Sequence, residues 1–414
     1  MREQIINNLG SPGQLEKLYR GNKSQFKSTF NTLFSEIKEN ATAQIWNERL
    51  NYESPDIHWG TRRELIFVVA ASLLAGAIAK LPDFTSLDPD FFYPRNAGFI
   101  VFPLLTLYLS WKQNLPLKQL FAVIGIITVA WVYINLLPEN PGSDTLVLAF
   151  IHLPFLLWAL LGFAYVGGDM QTYGKRLHFL RFTGDLLVMS ALIAIAGVLF
   201  SVITVGLFSL LEIPAEVYYF KYVGVWGVAA IPFIAAYLVL SNPQLVSKVS
   251  PVIAKIFTPL VLFTLTVFLI AVIITGKDPY HDREFLLIFN VLLIGVMALI
   301  LFSIAGTPKN TSHKTAFLLL FSLSVITLLV NGVALSAIVY RVSEWGITPN
   351  RLAVLGSNIL IFIHLVWVAL KLFKILRHKN NIGNAEDSIA AFLPIYVVWV
   401  MLVCFVFPII FNFG

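Results

Sequence analysis

The chain has 414 residues, 57% of them hydrophobic and only 13% charged, against about 25% charged in an ordinary soluble domain. That composition excludes a conventional soluble protein, which at this length would divide into domains with polar surfaces. The formal net charge of +6 is not a nucleic-acid signal, because basic residues in a membrane protein mark its cytoplasmic side, and no nucleic-acid partner is expected.

Residues 1–62 read as a cytoplasmic helical domain. The opening run MREQIINNLGSPGQLEKLYR lacks the apolar stretch of a cleaved signal peptide, so the first span is expected to act as the insertion signal. Ser11 followed by Pro12 marks a helix start. Phe26, Phe30, Leu33, Phe34 and Ile37 then recur at spacings of three and four, one apolar stripe along a helix, with Lys23, Lys27, Glu36 and Lys38 on its polar faces. A second short helix is expected around Ile45, Trp46, Arg49 and Leu50. Three uses of the stripe are open: docking on the spans, lying in the membrane interface, or binding a cytoplasmic protein partner.

The remainder, 63–414, reads as an all-α transmembrane bundle, because apolar runs long enough to cross a bilayer, about twenty residues each, recur along it. About eleven spans are expected, at 65–80, 97–111, 120–137, 145–167, 186–211, 222–240, 256–275, 285–305, 315–340, 353–374 and 388–411. Thr61 and Glu64 match a capping box, and Asp144 is the expected cap of the fourth span. Gly224 and Gly227 are read as easing helix packing.

Orientation follows from Lys and Arg. With the N-terminus inside, inner loops carry Lys112, Lys118, Lys175, Arg176, Arg181, Lys248, Lys255, Lys309, Lys314, Lys371, Lys374, Arg377 and Lys379, beside nine in residues 1–63. The outer loops carry seven: Lys80, Arg95, Lys221, Lys277, Arg283, Arg341 and Arg351. Basic loops resist translocation, so the N-terminus is placed inside, the C-terminus outside, and membrane lipid is the expected surrounding.

Catalytic signatures are missing. No GxxxxGK[ST] phosphate loop, HExxH or GxSxG occurs, and no His/carboxylate cluster has metal-ligand spacing. Cys404 is the only cysteine, which rules out an intrachain disulfide and a thiolate cluster. No metal and no cofactor is expected. The spans hold almost no carboxylate, which disfavours a carboxylate-driven proton pump.

The polar groups expected at depth are His152, Asn290, Asn331, Asn358 and His364, with His364 near the midplane and the others, beside Tyr133 and Asn135, in the outer half. Above them come the runs Tyr93-Pro94-Arg95-Asn96 and Gly346–Arg351. Together they suggest a polar pocket open to the outer face, with Arg95 or Arg351 available to an anionic head group. The alternative is that each Asn and His cross-links neighbouring helices by hydrogen bonds. Asp83, Asp88 and Asp90 in the first outer loop, and Asp278, Asp282 and Glu284 in the fourth, would suit a lipid-linked transferase; they are also what the charge asymmetry produces by default.

RVSEWGITPNRLAVLGSNILIFIHLVWVAL (341–370), YPRNAGFIVFPLL (93–105) and DREFLLIFNVLLIGV (282–296) resemble the bacterial membrane-protein family catalogued as domain of unknown function 4153. LEKLYRGNKSQFKSTF (15–30) and IWNERLNYE (45–53) look like the cytoplasmic extension of some of its members. The resemblance implies a bacterial cytoplasmic-membrane protein with many spans and assigns no activity. Trp345, Gly346, Thr348 and Arg351 match its aromatic-Gly-x-Thr-x-x-Arg element; read from the residues, the same stretch is a turn followed by a capped helix start.

Three functions stay open: a transporter, permease or lipid-binding protein with an outward polar pocket; a non-catalytic scaffold or regulator recruiting a partner through 1–62; and a lipid-linked transferase. Oligomeric state is not legible.

Overall fold

The computed structural model describes residues 1–21, 23–51, 60–140, 142–209, 216–276, 280–281, 283–305, 314–377 and 383–414. All regular structure among them is helical, and the chain divides into two compact units, Met1–His58 and Trp59–Gly414.

The first unit holds four helices where two were expected: α1 (Arg2–Asn7), α2 (Pro12–Gly21), α3 (Lys23–Ile37) and α4 (Ala41–Asn51). The stripe on α3 does not face outward. Phe26, Phe30 and Leu33 are buried together with Ile5, Leu15, Ala43 and Trp46, and Phe34 and Ile37 pack against the edge of that core. Phe26 lies 5.9 Å from Phe30 and 5.2 Å from Trp46, ring centre to ring centre. Of the stripe residues offered for docking on the spans, for the membrane interface or for a partner, Phe26, Phe30 and Leu33 are instead in the interior of their own small unit, because three further helices supply the apolar faces that cover them. Glu16 pairs with both Arg20 and Arg49 at 2.8 Å, and Arg49 lies 4.5 Å from the centre of the Trp46 ring. The Arg20 hydrogen bond, against some desolvation and with the charge of Arg49 added, holds the Glu16 carboxyl below its ordinary value.

In the second unit α5 (Arg62–Ala79), the single turn α6 (Leu81–Phe84), α7 (Pro89–Lys112), α8 (Leu117–Leu136) and α9 (Asp144–Tyr165) come first. They are followed by α10 (Tyr173–Ser209), α11 (Glu216–Tyr218), a π-helical stretch Tyr219–Gly224 and α12 (Val225–Ser241). Then come α13 (Pro243–Thr275), α14 (Arg283–Ala305), α15 (Lys314–Trp345), α16 (Pro349–Leu376) and α17 (Gly383–Met401), which continues through a π-helical stretch Leu402–Val406 into α18 (Phe407–Ile410). Among the described residues nine helices are long and apolar enough to cross a membrane, which fits a multi-pass membrane protein. The expected count was about eleven. The two further helices, α5 and α7, carry more charge: α5 opens on Arg62, Arg63 and Glu64, and α7 holds Asp90, Arg95 and Asn96 in its first two turns.

Local chemistry explains most boundaries. Thr61 and Glu64 form the expected capping box, with Glu64 N donating to Thr61 Oγ1 at 3.3 Å and Thr61 N to Glu64 Oε2 at 3.0 Å. The fourth expected span is capped by Ser143, not Asp144: Leu146 N donates to the Ser143 hydroxyl at 3.2 Å. Helix α10 begins at Tyr173, well before the expected 186, because Leu177, Phe179, Leu180 and Phe182 recur at helical spacing and are buried.

The core has three main parts. One gathers α14, α15 and α16 around Phe289, Ile300, Leu323, Val330 and Leu365. A second joins α5, α7 and α12 through Ala75, Tyr108, Phe233 and Ala236. The third joins α7, α8 and α9 through Val123, Ile134, Ala149 and Leu157. Among the close helix contacts that need glycine, a Cβ on Gly76 would lie 2.6 Å from the Trp226 ring, one on Gly162 2.6 Å from the Phe179 ring, and one on Gly356 would overlap the Trp399 ring. At Gly227, one of the two expected packing glycines, an added Cβ would meet nothing within 4 Å, and at Gly224 its nearest neighbours are Phe220 and Tyr219 of the same stretch.

The two ends of the bundle are marked by charge. At one end Lys112, at the end of α7, pairs with Glu64, at the start of α5. At the other, Lys80 is buried and pairs with Asp83, with the Tyr222 ring 5.1 Å away; the Lys80 hydrogen bond holds the Asp83 carboxyl below its usual value.

Candidate functional site

Asn290 (α14), Asn331 (α15) and Asn358 (α16) form one chain of contacts across three helices. Asn331 Nδ2 donates to the Asn358 backbone carbonyl at 3.1 Å, and Asn358 Nδ2 donates to Asn290 Oδ1 at 2.9 Å. Asn331 is fully buried and Asn358 nearly so. Among the described residues the Asn331 Oδ1 atom accepts no hydrogen bond, which leaves one unused acceptor at the junction.

Helix α16 meets α17 through a second set. His364 Nδ1 and the Tyr396 hydroxyl lie 3.0 Å apart, and the His364 ring stacks on Phe392 with centres 4.3 Å apart. His364 Nε2 has no partner. Two turns earlier on the same face of α16, Ser357 accepts from Trp399 Nε1 at 2.9 Å, beside the Gly356 notch. His152 stays on its own helix, with Nδ1 2.9 Å from the Leu148 carbonyl.

At the Lys80 end the run 93–96 forms a third set. Asn96 and Asn135 exchange amide hydrogen bonds at 3.0 and 3.1 Å, and Trp131 Nε1 donates to Asn96 Oδ1 at 2.9 Å. Tyr93 donates to the Ala79 carbonyl at 3.0 Å. Arg95 is 3% exposed. Its Nη1 donates to the carbonyls of Ile134 at 2.6 Å and Leu137 at 3.2 Å, and its guanidinium lies 4.3 Å from the Phe91 ring centre. Arg95 therefore satisfies carbonyls that α8 leaves open at its C-terminal end, which is why it is not held out for an anionic head group. Arg351 does the same at another corner: Nη1 donates to the carbonyls of Trp345 at 2.7 Å and Gly346 at 2.8 Å. There Gly346 takes a φ of +75° and Thr348 caps α16, accepting from Arg351 N at 3.3 Å.

The residues expected to line one outward pocket are thus brought together in three separate hydrogen-bonded sets, with His152 and Arg351 apart from all three. Among the described residues one crevice lies between α9 and α17 and another beside Leu137 and Phe413, and none of these candidate side chains lines either.

Sequence reading missed a further role, the rescue of proline breaks. A proline inside a helix leaves the carbonyl four residues earlier without its N–H partner. Pro394 frees the Ala390 carbonyl, and Arg176 Nη1 donates to it at 2.8 Å. Pro408 frees the Cys404 carbonyl, and the Tyr133 hydroxyl donates to it at 3.0 Å. The prolines were visible in the sequence; which distant side chain reaches each carbonyl was not. Tyr133→Phe keeps the ring contact with Phe405 (4.9 Å) and removes one hydrogen bond. It is expected to lower stability by about 1 kcal/mol, the usual net worth of such a bond, read as a small downward shift of thermal unfolding in detergent; no shift would mean the freed carbonyl finds another donor.

At the Lys112 end Arg181 ties three helices. Its Nη2 donates to Glu386 Oε1 at 2.6 Å, and its Nε donates to the Ala305 carbonyl, the last of α14. In the loop before α10, Asp169 accepts from Gln171 N and Thr172 N and pairs with Lys175 at 3.0 Å. The Lys175 hydrogen bond first, then the Thr172 hydroxyl, hold its carboxyl down at about 2. The loop stays latched at neutral pH and lets go only as pH falls through that low value.

The first-loop acids are committed locally: Asp83 to Lys80, and Asp88 to capping α7 by accepting from Asp90 N at 3.0 Å. Asp278, Asp282 and the Glu284 side chain lie outside the described residues. Among the described residues no three His, Cys, Asp or Glu side chains converge as a metal site. Comparison with known proteins finds no matching protein family, no match among curated proteins and none among solved structures.

Proposed function

We propose that the chain is a non-catalytic integral membrane protein of eleven spans, N-terminus inside and C-terminus outside, whose buried polar side chains fasten the helices together and do not line a solute pathway. The observation that carries this is the closure of Asn290, Asn331 and Asn358 on one another across packed helices. Cross-helix hydrogen bonds of this kind are worth about 0.6 kcal/mol each inside a membrane, so several are needed to fix a bundle. Helices α5 and α7 count as spans ten and eleven: their charged ends neutralise each other in the Glu64–Lys112 pair, and Arg95 is spent on the carbonyls of α8. The Lys and Arg asymmetry places the Lys112 end inside. The resemblance of 341–370 and 93–105 to the bacterial family named above supports a bacterial cytoplasmic membrane.

A second reading, a solute carrier seen closed, is favoured by two buried atoms without partners, Asn331 Oδ1 and His364 Nε2. Cysteine labelling separates the two. Cys404 is buried and is the only native cysteine, so a Cys404→Ser background is silent. In it, Asn331→Cys and Asn358→Cys are expected to resist a membrane-impermeant maleimide in intact cells, while Ser86→Cys labels and Ser11→Cys labels only after permeabilisation. Labelling at 331 or 358 would replace the fastening role with a pathway. Protection of Ser86→Cys would remove the eleven-span topology and leave the buried-polar argument standing.

A further inference from the structure

The crevice between α9 and α17, the rescue of Pro394 and the charge at the Lys112 end meet at one place. Ala159 and Gly162 of α9 form one wall, and Leu393 and Val397 of α17 form the other. Trp158 also lines it, and its polar edge is turned away, with Nε1 donating to Thr183 Oγ1 at 3.2 Å. The one charged side chain on the crevice is Arg176, at its Lys112 end.

Three features define what fits there. The first is shape. The crevice is open to the surface, its empty space including the mouth is about 350 Å³, and it forms a shallow groove, not a closed chamber. Along α9 the lining runs from Trp158 to Val166, about 12 Å at the helical rise of 1.5 Å per residue, and along α17 from Leu393 to Val397, about 6 Å. The second is the state of Arg176. Its guanidinium donates to three backbone carbonyls, those of Met170, Ala390 and Gln171, and a guanidinium has five N–H groups. Among the described residues it has no carboxylate partner, so its full positive charge is fixed in place by neutral acceptors. The third is the surroundings. Exposed Lys118 follows the α7–α8 turn, and its neighbour Gln119 lies against Gly168 in the same loop region. The loop acid Asp169 is already occupied by Lys175.

We propose that this crevice is a site for one anionic phospholipid, with an acyl chain laid between α9 and α17 and the phosphate on the outward N–H groups of Arg176. The inference rests on α9 and α17 crossing a bilayer, as proposed above. The lipid would sit over the Pro394 break, where α17 lacks one of its own hydrogen bonds, and would hold the Arg176 side chain on the Ala390 carbonyl. Arg176 is thus shared between a structural acceptor and a ligand, and the proline creates the acceptor.

The full chain, purified in detergent and offered phosphatidylglycerol or phosphatidylcholine, tests this by native mass spectrometry. One phosphatidylglycerol per chain is expected to survive activation, with retention about fivefold above phosphatidylcholine, the factor expected of one basic residue at a lipid surface. Arg176→Gln should abolish the preference. Because that change also strips the Ala390 carbonyl, Ala159→Phe is the second variant: it fills the crevice, leaves Arg176 untouched, and should remove the bound lipid from a protein that still elutes as a single species. Equal retention of both lipids, or retention unchanged by Ala159→Phe, would overturn the proposal. So would displacement of phosphatidylglycerol by inorganic phosphate alone, which would make the site one for soluble anions. Failure of the proposed span topology would show separately, as Ser86→Cys protected or Ser11→Cys labelled in intact cells.

Discussion

Replacing Gly356 with leucine is expected to force α16 and α17 apart and to destabilise the protein by about 3 kcal/mol or more, at or beyond the upper end of ordinary overpacking. A Cβ at 356 would already overlap the Trp399 ring, and the ring cannot move without giving up its own contacts. Trp399 Nε1 is tied to Ser357 Oγ at 2.9 Å, and its face meets the edge of Phe407 at 5.9 Å. The damage should spread along the same seam to the His364–Tyr396 contact. Thermal unfolding in detergent, followed by size-exclusion recovery, reads the effect. Trp399→Leu opens the space that a larger side chain at position 356 needs, so Gly356→Leu combined with Trp399→Leu should be less damaged than the two single changes added together. Strict additivity would mean that the two residues do not share the seam.

Breaking the Arg181–Glu386 pair is the second large effect. Glu386 is almost completely buried and Arg181 about a third exposed, with relative side-chain exposures of 4% and 30%. Glu386→Leu leaves the Arg181 charge among α10, α14 and α17 without its partner. Losing one member of a buried pair typically costs about 3–5 kcal/mol, and the partial exposure of Arg181 puts the expected loss at the low end of that range. Arg181→Met with Glu386→Leu should recover much of it, because replacing both charges by apolar groups of similar size removes the desolvation penalty together with the attraction. The residual deficit of the double variant then measures the Arg181 hydrogen bond to the Ala305 carbonyl. If the double variant is as unstable as the single one, the damage lies in packing at 386 and the ion pair is incidental.

These two sites show what could and could not be read from residues alone. Helix existence was legible, because uninterrupted apolar runs leave no other way to satisfy the backbone in lipid. So was a cap that depends on neighbours in sequence, Thr61 with Glu64; ahead of α16 the sequence left Asn350 or Thr348, and Thr348 is the cap. What failed depended on which surfaces meet. The Phe26–Ile37 stripe was periodic and therefore visible, but nothing local says that α1, α2 and α4 fold over it. Asn290, Asn331 and Asn358 were visible as polar residues inside apolar runs, and Asn331 and Asn358 are buried; their mutual hydrogen bonds follow from the relative rotation of three helices, which composition does not encode. Arg95 and Arg351 were read as charges awaiting an anion, yet both are bonded to helix-end carbonyls. The carbonyls belong to the C-terminal ends of other helices, α8 and α15, where orphan carbonyls gather, and only for Arg351 is that end close in sequence. The glycines show the same division: Gly76 and Gly356 look no different in sequence from Gly224 and Gly227, and only the facing tryptophans distinguish them.

The π-helical stretch Leu402–Val406 has a geometric consequence beyond the Tyr133 contact. A π-turn winds one extra residue into the helix, and each residue of an α-helix turns the chain by about 100° (3.6 residues per turn). Everything after Val406 is therefore out of phase with α17 by about that angle. The shifted phase brings Phe407 edge-on to Trp399 and Phe411, and lets the Gly414 carbonyl accept from Thr145 N at 3.2 Å, at the first turn of α9. A single surplus residue works as an angular vernier: it sets the azimuth at which the last eight residues, 407–414, meet the start of a helix some 260 positions earlier in the chain.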